Sequence, residues 1–347
     1  MIPGMLFTET PATEPCAAAT SLQAGRSHDI AGRLDAAAEA YEQAADLAAS
    51  SGARGILVEA LRRLGVVRHR RSDLEGGREC CARSYRESVA LGDLLLAGEA
   101  LNALAGFDFE AGQMAAARVS YVNALALAGS SPTLLGRIEQ NLGILDSVQG
   151  DHASAYAHYR RALEAFRQVG DEPGIAIAHH NLGVTASRRG DWEEAERSLT
   201  KSAVIAGQCG DLYIGGLCQL HRAEVCHYRQ HFGDALTRAE SALSTFERLG
   251  DQRAMSDAYK VIGIILRDSG RLALSEDRLR KALELAVESG WVLGQAEANR
   301  ELGRLHAANG RKQEALAFYR DAYDLFGRLA ARVDIREVAQ RITELAA

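Results

Sequence analysis

Residues 141–210 read NLGILDSVQGDHASAYAHYRRALEAFRQVGDEPGIAIAHHNLGVTASRRGDWEEAERSLTKSAVIAGQCG, and this stretch contains one unit written twice. Asn141, Leu142 and Gly143 return as Asn181, Leu182 and Gly183. Gly150-Asp151 returns as Gly190-Asp191, Ala155 as Ala195, and Gly170-Asp171 as Gly210-Asp211, always forty residues on. A fixed step of that size is the mark of a repeat architecture built from one supersecondary unit, in which each copy buries its apolar face against its neighbours.

Outward from this pair, a small residue recurs at Gly25, Gly65, Ala105, Gly143, Gly183, Ala223, Gly263 and Gly303, which defines eight units. A second small residue follows in each, at Ala37, Gly77, Ala117, Ala155, Ala195, Ala235, Ser275 and Ala315. Two small residues facing each other let antiparallel helices approach closely, and larger neighbours such as Leu142, Leu182, Tyr41, Tyr121, Tyr159 and Tyr319 fill the space around the contact. Glycines at 52, 92, 170, 210, 250 and 290 fall between units, and aspartates at 93, 171, 211 and 251 follow four of them. Glycine ends a helix in the left-handed conformation and aspartate caps the next one, so stop and start signals coincide. Asp191 with Glu194 reads as a capping box. Pro132 and Pro173 fall in first turns, where a missing N–H costs nothing, and no proline follows Pro173.

The expected fold is therefore all-α, an array of eight helical hairpins. It divides into a flexible tail over residues 1–16, units at 17–52, 53–92, 93–130, 131–170, 171–210, 211–250, 251–290 and 291–330, and a capping helix over 331–347. Val333, Ile335, Val338, Ile342 and Leu345 give that last helix one apolar face. Two units break the pattern: Ser72 stands where a turn glycine belongs before Gly77, and Gln230 and Gly233 surround the sixth turn. Irregular or shifted helix starts are expected there.

Composition narrows the function. With 47% hydrophobic and 25% charged residues and a net charge of -6, the chain lacks the clustered basic face that nucleic-acid binding requires. The apolar run Met5-Leu6-Phe7 is too short for an export signal or a membrane span, and six cysteines without Cys-x-x-Cys spacing fit reduced thiols, so a cytoplasmic location is expected. Phosphate-binding, dinucleotide, nucleophile-elbow and zinc-protease motifs are missing from the sequence, and the glycines sit at repeat turns. Neither an enzyme nor a cofactor is expected. His227 and His231 stand four apart, one element of a metal site, but no third ligand follows at a fixed offset, so no metal is expected.

The small-residue pair, the Leu-Gly of the first helix and the Tyr or Leu four residues beyond the second small residue resemble the tetratricopeptide repeat family over residues 17–347. The forty-residue period is similar to its long-helix members: kinesin light chains, Leu-Gly-Asn polarity scaffolds, and the sensor domains of LuxR-type and maltose-activator-type bacterial regulators. The resemblance implies a right-handed superhelix whose first helices line a concave groove. Counting from the recurring small residue, it places Asn102, Gln140, His180, Leu220, Lys260 and Arg300 in one groove row. Ile144, Val184, Glu224, Ile264 and Arg304 form the next row, with Asn141, Asn181, Leu217 and His221 beside them.

In that reading Gln140, Asn141, His180 and Asn181 exchange hydrogen bonds with a peptide backbone while Ile144, Val184, Leu217 and Leu220 take its apolar side chains. The bland alternative is that the asparagines bond a neighbouring helix. Lys260, Arg300 and Arg304 alternate with Asp257, Glu297 and Glu301 and read as a solvated mixed-charge face. A carboxylate clamp in units four to six is excluded, since Gln140 and Ile144 stand at its first lysine and asparagine, and Leu217 and His221 at its later lysine and arginine. The function expected is a non-catalytic scaffold for a protein or peptide partner, without nucleic acid or membrane. A ligand-sensing regulatory module and an accessory subunit of an enzyme complex are the alternatives, and homo-oligomerisation is left open.

Overall fold

The computed structural model describes residues 14–71 and 73–346, and the described residues hold seventeen α-helices and no strand. In order these are α1 (Glu14–Ile30), α2 (Leu34–Ser50), α3 (Arg54–Arg70), α4 (Leu74–Leu91), α5 (Leu94–Glu110), α6 (Met114–Leu127), α7 (Pro132–Val148), α8 (His152–Val169) and α9 (Glu172–Arg188). They continue with α10 (Trp192–Cys209), α11 (Leu212–Tyr228), α12 (Phe232–Leu249), α13 (Gln252–Asp268), α14 (Leu272–Glu288), α15 (Val292–Ala308), α16 (Lys312–Arg328) and α17 (Arg332–Ala346). The chain is thus an all-α array of helical hairpins, the fold its period leads one to expect. The tail reading falls on residues 1–13, outside the described residues, while α1 already begins at Glu14.

Two compact units divide the array. Unit 1 comprises the residues up to Ala111 together with Ala115–Leu134, and unit 2 comprises Gly112–Met114 and Leu135 onwards. Within unit 1, α3 touches both α1 and α5; within unit 2, α11 touches α9 and α13, and α13 touches α15. First helices therefore stack on first helices, and each second helix backs the hairpin from behind.

The recurring glycine is a notch for a side chain of the partner helix. A Cβ placed on Gly143 would lie 2.6 Å from the Tyr159 ring, one on Gly303 2.7 Å from the Tyr319 ring, and one on Gly183 2.7 Å from Leu199. Tyr159, Tyr319 and Leu199 are buried in those notches. A serine adds a polar stitch at three hairpins: Ser84 Oγ donates to the Val58 carbonyl at 2.8 Å, Ser202 to Ala176 at 2.7 Å, and Ser256 to Ala282 at 2.7 Å. Phe166 fills a second kind of notch, between Gly136 and Gly174, which the period does not reveal.

The turns follow from their residues. Gly92, Gly170, Gly210 and Gly250 end their helices with φ between 67° and 75°. Asp93, Asp171, Asp211 and Asp251 then accept from the backbone N–H three residues on, at 2.9–3.0 Å. The capping box at Asp191 is only half made. Its carboxylate accepts from Glu194 N at 3.1 Å, but Glu194 turns to Arg197 and Ser198, and Asp191 N donates to the Ala186 carbonyl instead.

The two irregular units resolve differently. Ser72 itself is outside the described residues, but Asp73 caps α4, which runs unbroken past Gly76 and Gly77. At the sixth unit Gln230 takes the left-handed conformation with φ 62°, and α12 starts at Phe232. An L side chain is disfavoured there by about 1–2 kcal/mol. Gln230→Gly is therefore expected to raise stability in thermal unfolding, by about 1 kcal/mol; a lower midpoint would contradict the assignment of strain. The same turn corrects the metal-site geometry: α11 stops at Tyr228 and His231 is the N-cap of α12, so His227 and His231 do not share a helix face. Among the described residues no helix is long and apolar enough to cross a membrane.

Candidate functional site

Stacking first helix on first helix brings one face of α9, α11, α13 and α15 around a cavity of about 530 Å³ in unit 2. Its apolar lining is Val184, Leu220, Val261, Ile264 and Ile265. Trp192 stacks on Tyr228 with ring centroids 3.9 Å apart at 30°, and Tyr228 is 66% exposed, so this pair forms an aromatic rim. Trp291 and Leu293 contribute from the start of α15, and Asp334 from α17.

Beneath the rim lies a lattice of charges. Lys260 Nζ sits between Asp257 Oδ1, at 2.7 Å, and Glu297. Burial alone would lower its pKa, yet the two carboxylates outweigh that and push it up. Burial raises the Asp257 carboxyl, and Glu297 adds to the rise. Glu301, 1% exposed, holds three guanidiniums: Arg267 at 2.7 Å, Arg304 at 2.9 Å and Arg300 at 3.2 Å. Burial would raise the Glu301 carboxyl, but Arg300, Arg304 and Arg267 together bring it down to about 2. The mixed-charge face expected to be solvated is thus half-buried, with Glu301 fully so, because stacking gives Lys260, Arg300, Arg304 and Glu301 a partner of opposite charge on a neighbouring first helix. Arg188, at the end of α9, makes no ion pair among the described residues although it lines the same cavity.

Histidines border the lattice. His221 Nδ1 lies 2.6 Å from Glu224 Oε2, and His227 Nε2 lies 2.9 Å from Asp268 Oδ2. For Glu224 burial raises the pKa, but the His221 charge and hydrogen bond prevail and hold it at about 2. His180 lies against His221 in a tilted contact, with centroids 4.9 Å apart, and burial with that neighbour lowers its pKa to about 3. It is a neutral imidazole at neutral pH.

Of the residues the sequence places in the groove, Val184, Leu220, His221, Lys260, Arg300 and Arg304 meet at this cavity. Gln140, Asn141, Ile144, His180, Asn181 and Leu217 lie on α7, α9 and α11 outside its lining, and Asn102 is on α5 in unit 1. Ile144 and Leu217 pack against buried clusters of the hairpins. Gln140 Oε1, His180 Nε2, Asn181 Nδ2 and Ser187 Oγ are buried without a hydrogen-bond partner among the described residues.

The sequence reading missed Trp192, Tyr228, Trp291 and Arg188. A signal existed for Trp291, which stands forty residues after Asp251 where four of the other units carry a capping aspartate. It is the N-cap of α15 and makes no side-chain cap bond. Giving up a cap costs about 1 kcal/mol, and what is gained is an indole in the cavity.

Hairpins stacked in this way define an α-helical repeat protein. Residues 133–206 and 258–328 match the family model for the tetratricopeptide repeat, so the chain carries tetratricopeptide repeats over those stretches. It is 32% identical over 93 residues to the photosystem I assembly protein Ycf3 of Synechococcus elongatus, a match covering 26% of this chain and 53% of that one. The chain thus spans about half the length of the curated relatives it matches. Among solved structures it is similar to a Rap protein complexed with competence and sporulation factor, with a TM-score of 0.64 at 12% identity over 95% of this chain and 97% of that one. It is also similar to the apo form of RapI, with a TM-score of 0.62 at 14% identity over 81% and 99%. At such identities the likeness is one of fold.

Proposed function

We propose that the chain is a non-catalytic protein-interaction module that holds a short peptide segment of a partner along the inner face of unit 2. The observation that carries this is the cavity shared by the first helices of four successive hairpins, apolar at its floor and aromatic at its rim. Its volume of about 530 Å³ falls in the ~300–1,000 Å³ range of ligand pockets, which favours a short segment over a whole partner helix. On α7 and α9, outside that lining, Gln140 Oε1 and Asn181 Nδ2 are a buried acceptor and donor without partners among the described residues. Such groups are normally satisfied, and a peptide backbone supplies the missing N–H and C=O. The Rap protein of similar fold is seen complexed with a factor, and the curated relative is an assembly protein; both names fit a module that works by binding.

The test is capture of the partner from the native host by the full chain and by a variant carrying Asn141→Ala and Asn181→Ala. Capture is expected to fall about tenfold, as loss of one or two hydrogen bonds of about 1 kcal/mol each implies, while circular dichroism stays unchanged. Undiminished capture by a folded variant removes the two asparagines from the site.

A further inference from the structure

The last helix lies against the cavity in an unusual way. α16 buries a full stripe, Ala315, Tyr319, Ala322 and Phe326, whereas α17 fully buries only Val338. Val333 is 44% exposed, and Ile335, Ile342 and Leu345 are half-buried. Apolar contact alone is thus a weak hold for α17. Its acidic side does the rest: Asp334 pairs with Arg300 Nη1, Glu337 pairs with Arg304 Nη2, and a second Glu337 oxygen lies 3.8 Å from Arg300. At its start, Val333 rests on Gly150 in the turn between α7 and α8. The start of α17 therefore touches both the cations of α15 and the first hairpin of unit 2, and Asp334 forms part of the cavity wall.

The cations tell what this place accepts. Without α17, Arg300 and Arg304 would share the single carboxylate of Glu301, which Arg267 also uses. Two cavity-lining guanidiniums with one carboxylate between them have unused donors pointing where Asp334 and Glu337 now lie, and guanidinium forks are matched to carboxylates. The two acids of α17 are not equally content there. Burial raises the Asp334 carboxyl despite Arg300 beside it, so water is a competitive environment for it, whereas the same guanidiniums hold Glu301 far down.

We propose that α17 is a displaceable strap: Asp334 and Glu337 occupy a carboxylate-binding subsite made by Arg300 and Arg304, and an acidic partner segment entering the cavity takes their place. This rests on the reading that the cavity receives a peptide segment, and it adds the chemistry of that segment: carboxylates spaced like those of α17, next to an apolar or aromatic group for the Trp192 and Tyr228 rim. Binding and strap docking exclude each other, so the strap sets the affinity.

The experiment compares the full chain with a D334N/E337Q variant. The chain's two tryptophans, Trp192 and Trp291, both line the cavity, so acrylamide quenching of intrinsic fluorescence reads its opening. The probe is a fluorescein-labelled synthetic peptide of residues 332–346. The variant is expected to quench more strongly and to bind the peptide at least ~10-fold more tightly than the unaltered chain, the penalty that an open fraction of about one tenth imposes. The same peptide carrying D334N and E337Q should bind neither chain. Equal quenching and equal peptide affinity in the two chains would make α17 a permanent cap and overturn the proposal. Should the double variant misfold, E337Q alone, altering a carboxylate only partly buried, gives the same comparison. Because the assay uses no partner, loss or retention of capture in the asparagine variant leaves its outcome unaffected.

Discussion

Glu301→Gln lowers the stability of the chain by about 3 kcal/mol at pH 7, the low end of the cost of removing one member of a buried ion pair. The low end applies because each guanidinium retains a second carboxylate, Asp268 for Arg267, Asp334 for Arg300 and Glu337 for Arg304. The glutamine keeps the shape of the side chain and removes only its charge, so packing is not at issue. The pH dependence identifies the cause. The Glu301 carboxyl titrates near 4.5 in the unfolded chain and at about 2 in the fold, so the stability it contributes is complete above pH 4.5 and is lost as pH falls from there to about 2. Unfolding midpoints of the two proteins should differ most at neutral pH and converge through that interval. A difference that does not change with pH would mean that shape, and not charge, makes Glu301 important.

Gly65→Ala is the second large effect, and it tests the packing that makes the array. A Cβ at Gly65 would lie 2.4 Å from Cys81 Sγ and 2.8 Å from the carbonyl oxygen of Gly77, while a Cβ at Gly77 would meet the Gly65 carbonyl at 2.8 Å. A side chain elsewhere in the array can swing away, but a backbone oxygen moves only with its helix. Forced separation of α3 from α4 is expected to cost about 2 kcal/mol, read from denaturant unfolding of unit 1. Gly55 in the same helix has nothing within 4 Å of its added Cβ, so Gly55→Ala should leave stability unchanged or raise it by up to ~1 kcal/mol. Equal effects of the two substitutions would contradict the close approach.

The fold was legible because its determinants are local or recur at one period. A glycine notch, a glycine stop and an aspartate cap each act within one hairpin, and each is repeated often enough to be recognised. The groove rows were legible in part: Leu220, Lys260 and Arg300 share one position on successive first helices, Val184 and Arg304 share another a turn on, and with His221 they line one cavity. The charges were misread because a helix was considered without its neighbour. Lys260 pairs with Glu297 37 residues on, Arg267 with Glu301 34 on, Arg300 with Asp334 34 on, and Arg304 with Glu337 33 on. Each pair joins adjacent first helices, so opposite charges slightly less than one period apart were the sign of burial. The acids of α17 belong to the same series, and a reading of that helix by its apolar face alone overlooks them. Trp192 and Tyr228 were hidden for another reason: they stand at the start of α10 and the end of α11, far from the turn that joins those helices, and neither position carries a residue that recurs through the units.

The central claim is that the inner face of unit 2 is where a partner is held. It is tested most directly by replacing Val184, which lines the cavity, or Val204, which is 55% exposed on α10 and outside the cavity, with the photo-reactive amino acid benzoylphenylalanine. Both chains are then irradiated in lysate of the native host. A discrete adduct from position 184 and none from position 204 is the result expected; an adduct from 204 with none from 184 would place the partner on the outer helices and contradict the account.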